Sequence, residues 1–267
     1  MDVERLRRII NYSDANRDDM EAKVNSFYSF VGMNSDKDVL NVMQIARTSF
    51  RKKGYLVLEI PLADEEIGAL CYRGDALGYI VLNTTLPKVN VNFAVCHELY
   101  HVFYQKKSFR TKVEFANSLY YENEEELAAN LFAGMLLMPE SGFRNMYSKF
   151  KEESEGNETD TFLRLMSYYQ VPYMAVLIRC FELNLPDRCN DLEEILNVTQ
   201  DCVRTRLLEL WLDDTILNAT KKDDYAHLEA LVAHLGQEYI RESYINERTL
   251  NKVMQNMQTL YAEIKGE

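Results

Sequence analysis

With 267 residues, 47% of them hydrophobic, the chain can bury a substantial core in one main domain with helical extensions, which excludes a disordered protein. A formal net charge of −12 works against broad attraction to nucleic-acid phosphates. The five cysteines, Cys71, Cys96, Cys180, Cys189 and Cys202, are odd in number and form no C-x-x-C pair, as expected for a reducing compartment.

The amino terminus, MDVERLRRIINYSD, has neither the apolar core of a signal peptide nor a membrane-length span, so a soluble, cytoplasmic protein is expected. Residues 1 to 53 read as helical, with Leu6, Ile9 and Ile10 and then Val39, Leu40, Val42, Met43, Ile45 and Ala46 as apolar positions. Gly32 and Asn34-Ser35-Asp36 separate two helices. Arg47, Arg51, Lys52 and Lys53 form a basic patch, read as a solvated helix face in preference to a nucleic-acid contact. Tyr55 to Ile60 reads as a strand, and Ala69 to Tyr72 with Tyr79 to Asn83 as a hairpin around the turn-like Arg73-Gly74-Asp75-Ala76-Leu77-Gly78. Tyr79 to Asn83 is a candidate edge strand for pairing with an extended peptide, an internal strand being the alternative.

Asn92 to Gln105, NFAVCHELYHVFYQ, lacks Pro and Gly, carries Phe93, Leu99, Val102 and Phe103, and reads as a buried helix. Within it, His97-Glu98-Leu99-Tyr100-His101 is an H-E-x-x-H string holding two of the four histidines of the chain. Positions i and i+4 share one helix face, so both imidazoles can reach a single zinc ion. Glu98 stands one step round, placed to take a proton from a zinc-bound water and deliver it to a leaving amine. A pair of hydrogen-bonded core histidines is the alternative. Cys96 adjoins His97, but neighbouring helical residues point about 100° apart, so it reads as a small buried side chain.

A catalytic zinc needs a third protein ligand. Glu122 to Met138, ENEEELAANLFAGMLLM, reads as a helix stopped by Pro139. Glu124, Glu125 and Glu126 crowd its first turn, where carboxylates favour the helix dipole whatever else they do. Glu126 is the candidate ligand, because Asn130 follows at i+4 on the same face and can hydrogen-bond a ligand histidine from behind. Ala129 and Ala133 would let two helices approach closely.

Beyond Pro139 a helix is expected to Phe150, then a loop or flexible linker over Lys151 to Thr161, KEESEGNETDT. Helices follow over Phe162 to Gln170 and Pro172 to Leu183, with a stop near Pro186. Leu192 to Leu217 carries Leu192, Ile195, Leu196, Val203, Leu207, Leu208 and Trp211 on a broad apolar face; Leu250, Val253, Met257, Leu260 and Ile264 repeat at alternating threes and fours. Both read as amphipathic helices of a small bundle, their stripes forming core in preference to a docking groove. His227 and His234 fall near one face of a helix and are read as packing or surface residues in preference to a second metal site.

HELYH followed by E-x-x-A-N-x-F-A-x-x-L-L-M-P, here Glu126 to Pro139, resembles the ImmA/IrrE-type metallopeptidases of bacteria and their mobile elements. Ala46 to Leu62 and Gly78 to Leu86 are similar to the helix and strands that lead into the zinc helix of that family, and Tyr168 through Leu185 to its helical tail, so the likeness covers about residues 40 to 185. It implies an α+β, zincin-like fold with a small N-terminal sheet and a zinc helix; the residues beyond lie outside the likeness and read from their apolar periodicity as an all-α extension. The expected division is residues 1–150 for the metallopeptidase domain, 151–186 for its helical tail and 187–267 for the extension. The likeness also implies one zinc held by His97, His101 and Glu126, with Glu98 as general base. The family usually has Gly where this chain has Tyr100, whose side chain must either narrow the space beside the zinc helix or turn its hydroxyl toward the cleft.

The leading expectation is a zinc-dependent intracellular endopeptidase acting on a specific protein, plausibly a repressor-type transcription factor of a stress response or mobile element. No helix-turn-helix stands out, so direct nucleic-acid binding is not expected and the DNA reader would be a separate partner. Tyr168, Tyr169 and Tyr173 are candidate oxyanion donors. The second expectation is a zinc-binding regulatory protein with little or no proteolysis. The third is a structural zinc whose fourth position is closed by Cys96.

Overall fold

The computed structural model describes residues 1–33, 41–65, 67–73, 78–105, 111–115, 123–186 and 192–266, with residues 111–115 described by their backbone. Two helices lead, α1 (Val3–Val31) and α2 (Val42–Lys52), followed by strands β1 (Tyr55–Ile60), β2 (Ile67–Arg73) and β3 (Gly78–Asn83). Asp2 caps α1 by accepting from the Arg5 N–H at 2.8 Å, and Gly32 closes it in the left-handed region at φ 73°. Next come α3 (Lys88–Tyr104), β4 (Thr111–Phe115), α4 (Glu124–Leu137), α5 (Glu140–Glu153), α6 (Glu158–Tyr169) and α7 (Tyr173–Glu182). The chain closes with α8 (Leu192–Leu196), α9 (Gln200–Glu209), a 3-10 helix over Asp214–Leu217, α10 (Tyr225–Arg241) and α11 (Glu247–Lys265). Asn34-Ser35-Asp36, most of the 73–78 turn and Cys189 lie outside the described residues.

The sheet runs in the order β1-β3-β2-β4, with β3 parallel to β1 and antiparallel to β2, and β4 antiparallel to β2. Tyr79 to Asn83 is therefore internal, and the edge reading gives way to its alternative. Nothing in the sequence reading marked β4, whose five residues TKVEF alternate too briefly and carry too much charge to register as a strand. Gly78 is required at the start of β3: a Cβ there would stand 2.4 Å from the Tyr55 ring on the neighbouring strand.

A buried amide ties the end of β3 to the loop between β1 and β2. The fully buried Asn83 ends β3; its Oδ1 accepts from the Leu62 and Thr85 N–H groups, each at 3.1 Å, and from Thr85 Oγ1 at 2.6 Å. Its Nδ2 donates to the carbonyls of Asp64 at 3.0 Å and Ile67 at 2.8 Å. Removing it strands several buried backbone groups at once, so Asn83→Ala should lower stability by about 3 kcal/mol. Urea unfolding checks this, and an unchanged midpoint would show that the loops hold without the amide.

The main core runs without a break from α1 and α2 through the sheet, α3 and α4 into the later helices, and includes Ile195, Leu196, Val203, Leu207, Ile216 and Leu217. The stretch beyond residue 187 thus shares the core that supports α3. Residues between the 3-10 helix and α10 continue this union in extended form. Lys88 N–H donates to Asn218 O at 3.1 Å, Lys221 N–H to Thr84 O at 3.0 Å and Asp224 N–H to Glu59 O at 2.8 Å. Burial works to raise the Asp224 carboxyl, but the Glu59 N–H, Lys222 and Arg47 outweigh it and hold it below the ordinary range.

Further expectations change, in whole or in part. Lys151 to Glu153 complete α5 and Glu158 to Thr161 open α6, so the acidic linker shrinks to a turn capped by Asn157, which accepts from the Asp160 N–H at 3.0 Å. Of the basic patch, Arg51, Lys52 and Lys53 are exposed as a solvated face requires, whereas Arg47 is half-buried, pairs with Glu59 and lies 3.6 Å from Asp224. Trp211, read as part of an apolar face, is 95% exposed and stands just past α9 with its backbone in the left-handed region at φ 58°. The stripe of α11 is not core either: Val253, Leu260 and Ile264 are exposed and Leu250 alone is buried in that helix, against Gly236, and in the neighbouring α10 Leu231, Leu235 and Tyr239 are exposed too.

Candidate metal centre

Two helices that pack along their length build the site, α3 presenting His97, Glu98 and His101, and α4 presenting Glu126. Asn123 Oδ1 accepts from the Glu125 N–H at 3.0 Å and fixes the first turn of α4, which sets Glu126 at the mouth of the seam. From Ala128 to Leu137 every residue is buried except the half-buried Asn130, and the small Ala129 and Ala133 are fully buried.

The three candidate ligands point their donor atoms at one spot. His97 Nε2 lies 2.9 Å from His101 Nε2 and 3.0 Å from Glu126 Oε2, and His101 Nε2 lies 3.8 Å from the same oxygen. All three atoms fall within 4.8 Å of one another, and this is the one such convergence of ligating side chains among the described residues. The imidazoles are almost wholly buried and the carboxylate side chain is 15% exposed. Two nitrogens and one carboxylate oxygen are the donor set of a catalytic divalent site, so the residues fit a metal.

Behind each imidazole stands an amide. His97 Nδ1 lies 2.8 Å from Asn130 Oδ1, and His101 Nδ1 lies 3.0 Å from Gln105 Oε1. An amide oxygen only accepts, so both rings carry their proton on Nδ1 and leave the Nε2 lone pairs facing the convergence point. Gln105 in turn donates from Nε2 to Glu125 Oε2 at 2.8 Å. Sequence reasoning passed over Gln105 and Glu125, although Gln105 stands at i+4 from His101 on the same helix face.

Glu98 is fully buried beside the ligands. Cys96 is fully buried too, but it belongs to the apolar core and its sulfur is not among the converging atoms. Burial pushes its thiol well up, away from the thiolate that a metal requires. Tyr100 takes the first of its two placements. Its ring packs in the seam among His101, Tyr104 and Phe132 at centroid separations of 5.8, 5.9 and 5.9 Å, with Lys23 Nζ 5.7 Å from the ring centre. Burial, then the charges of Asp19 and Glu125, push its hydroxyl above the ordinary tyrosine range.

The three tyrosines considered as oxyanion donors have ring partners of their own. Tyr168 stacks edge-on to Tyr169 and Phe150, Tyr169 leans on Phe143, and Tyr173 meets Phe162 edge-on. His227 and His234 are exposed, His234 lying 3.6 Å from Glu238, and neither joins a ligating cluster.

A small mixed sheet followed by a buried helix with two histidines, and a second helix supplying a carboxylate, defines a metallopeptidase-type domain of α+β, zincin-like architecture. Residues 50–181 match the family model described as the IrrE N-terminal-like domain, Peptidase_M78, so this part of the chain is similar to that family of metallopeptidases. The match begins at the end of α2 and finishes in α7, so it contains all four strands and both site helices. The chain has no significant match among curated proteins. No helix among the described residues is long and apolar enough to cross a membrane.

Proposed function

We propose that this protein is a zinc-dependent endopeptidase that works in the cytoplasm on a specific protein, with a transcriptional repressor as the substrate class. The observation that carries the reading is the convergence of His97, His101 and Glu126 with Glu98 buried alongside. Zinc suits this donor set best, two imidazoles and a carboxylate being borderline and hard ligands in one site. When bound, it supplies a Lewis acid that polarises the scissile carbonyl and makes the attacking water more acidic. Glu98 takes the proton of that water and passes it to the departing amide nitrogen. Asn130 and Gln105 keep the two imidazoles in the right tautomer.

An extended substrate has a sheet edge to pair with. The β1 edge is occupied at Glu59, which exchanges backbone and side-chain hydrogen bonds with Asp224, whereas β4 is the other edge of the sheet. Support for a separate DNA reader comes from α7, which follows α6 after a short turn but has no exposed residue to lay in a groove.

The purified full-length chain should carry about one zinc per molecule and lose it in both His101→Ala and Glu126→Ala. Metal analysis beside a cleavage assay against cytosolic extract tests the reading, and a metal-free wild type would sink it. A second reading, a zinc-binding regulator that acts by protein–protein binding, is favoured by the exposed apolar residues of α10 and α11. It predicts the same zinc content with no cleavage. A structural zinc closed by Cys96 is opposed by the direction of that thiol into the core.

A further inference from the structure

His101 ends its hydrogen-bonding reach on a side chain that is itself held from behind. Gln105 is the last residue of the α3 region, where the backbone leaves the helix at ψ 117° while its N–H still donates to His101 O at 3.3 Å. Its side chain folds back over the same turn to His101 Nδ1 at 3.0 Å and forward to Glu125 Oε2 on α4 at 2.8 Å. The chemistry of these partners leaves one arrangement. The Glu125 carboxylate only accepts, so the amide NH₂ must face it, which turns the amide oxygen to His101. That oxygen also only accepts, so the proton must sit on Nδ1 and the lone pair on Nε2.

We infer that Gln105 and Glu125 form a relay that positions His101 for metal binding, a role distinct from that of the neighbouring Glu126. This rests on the reading of His97, His101 and Glu126 as a metal site. Adjacent carboxylates at the first turn of α4 thus divide the work, Glu126 reaching the convergence point and Glu125 setting the amide that orients a ligand. The relay also clamps the end of α3 to the start of α4, the two places where the ligands leave their helices. His97 has a single amide behind it, Asn130 from the body of α4, whereas His101 sits one turn from the helix end, where the backbone alone gives less restraint.

The test measures zinc and cobalt(II) affinity of the full-length protein by competition with a chromogenic chelator, together with the cobalt(II) d–d spectrum. Gln105→Ala should weaken both metals about 10- to 100-fold, as loss of an outer hydrogen bond to a ligand does. The exchanged pair Gln105→Glu/Glu125→Gln should restore affinity, because the new carboxylate accepts the same Nδ1 proton while the new amide donates back to it across the seam. Glu125→Ala should weaken binding less, and the double variant Gln105→Ala/Glu125→Ala should bind no worse than Gln105→Ala alone, since the two act in series. A purely structural role would leave the cobalt spectrum and the rescue by the exchanged pair unaccounted for. Wild-type affinity in Gln105→Ala beside lost binding in His101→Ala would overturn the relay and spare the metal site. Wild-type behaviour in His101→Ala would overturn both.

Discussion

Glu98→Gln is expected to abolish peptide-bond cleavage, with a loss of at least about 10²- to 10⁴-fold, while zinc content and fold stay as in the wild type. Gln has nearly the volume of Glu, so a fully buried position accepts it without opening a cavity. What it lacks is the basic oxygen. A neutral amide cannot take a proton from water at neutral pH, and proton transfer is the step assigned to this side chain and to no other. The two candidate histidines sit on either side of Glu98 along α3 and reach the convergence point through Nε2, and Glu126 reaches it from α4 through Oε2, so the substitution leaves the donor set untouched. Zinc retained with undiminished cleavage would remove Glu98 from the chemistry. Zinc retained with no cleavage in either protein would move the balance to the regulatory reading.

The site was legible because metal ligation imposes its own spacing. Two imidazoles that share one ion must be one helical turn apart, which the string His97 to His101 displays without any knowledge of the fold. Glu126 was legible at one remove, through Asn130 at i+4, and the structure brings both to the histidines from a single helix. Strands β1, β2 and β3 announced themselves by apolar runs that the sheet buries. Other features leave no comparable mark. Periodicity reports that α11 is amphipathic but carries no information about what covers its apolar face, and Val253, Leu260 and Ile264 stand exposed there. The acidic run after Phe150 reads as a linker by composition, yet i,i+4 pairs such as Lys149 with Glu153 and the Asn157 cap make it helical on both sides of a short turn. Gln105 was invisible because an uncharged amide at a helix end looks like any solvent-facing residue until its two partners are seen.

Phe132→Ala should lower stability by about 3 to 5 kcal/mol, the cost of removing a large aromatic side chain from a packed core. Phe132 is fully buried on α4 and is the common neighbour in the seam beside the site. Its ring meets Phe27 of α1 edge-on at 6.0 Å and lies 5.5 Å from Tyr104 and 5.9 Å from Tyr100. The bulky Tyr100 is accommodated by this ring, so the seam between α3 and α4 depends on the two together. Truncation should therefore loosen the pairing that holds Glu126 opposite the histidines, and zinc affinity should fall along with the urea midpoint. Tyr100→Gly separates the two effects, because it removes the neighbour and leaves Phe132 in place. If Phe132→Ala unfolds at the wild-type midpoint, the seam closes over the gap and Tyr100 is free to refill it. If stability falls but zinc affinity holds, the ligands are fixed by Asn130 and Gln105 and not by the packing beneath them.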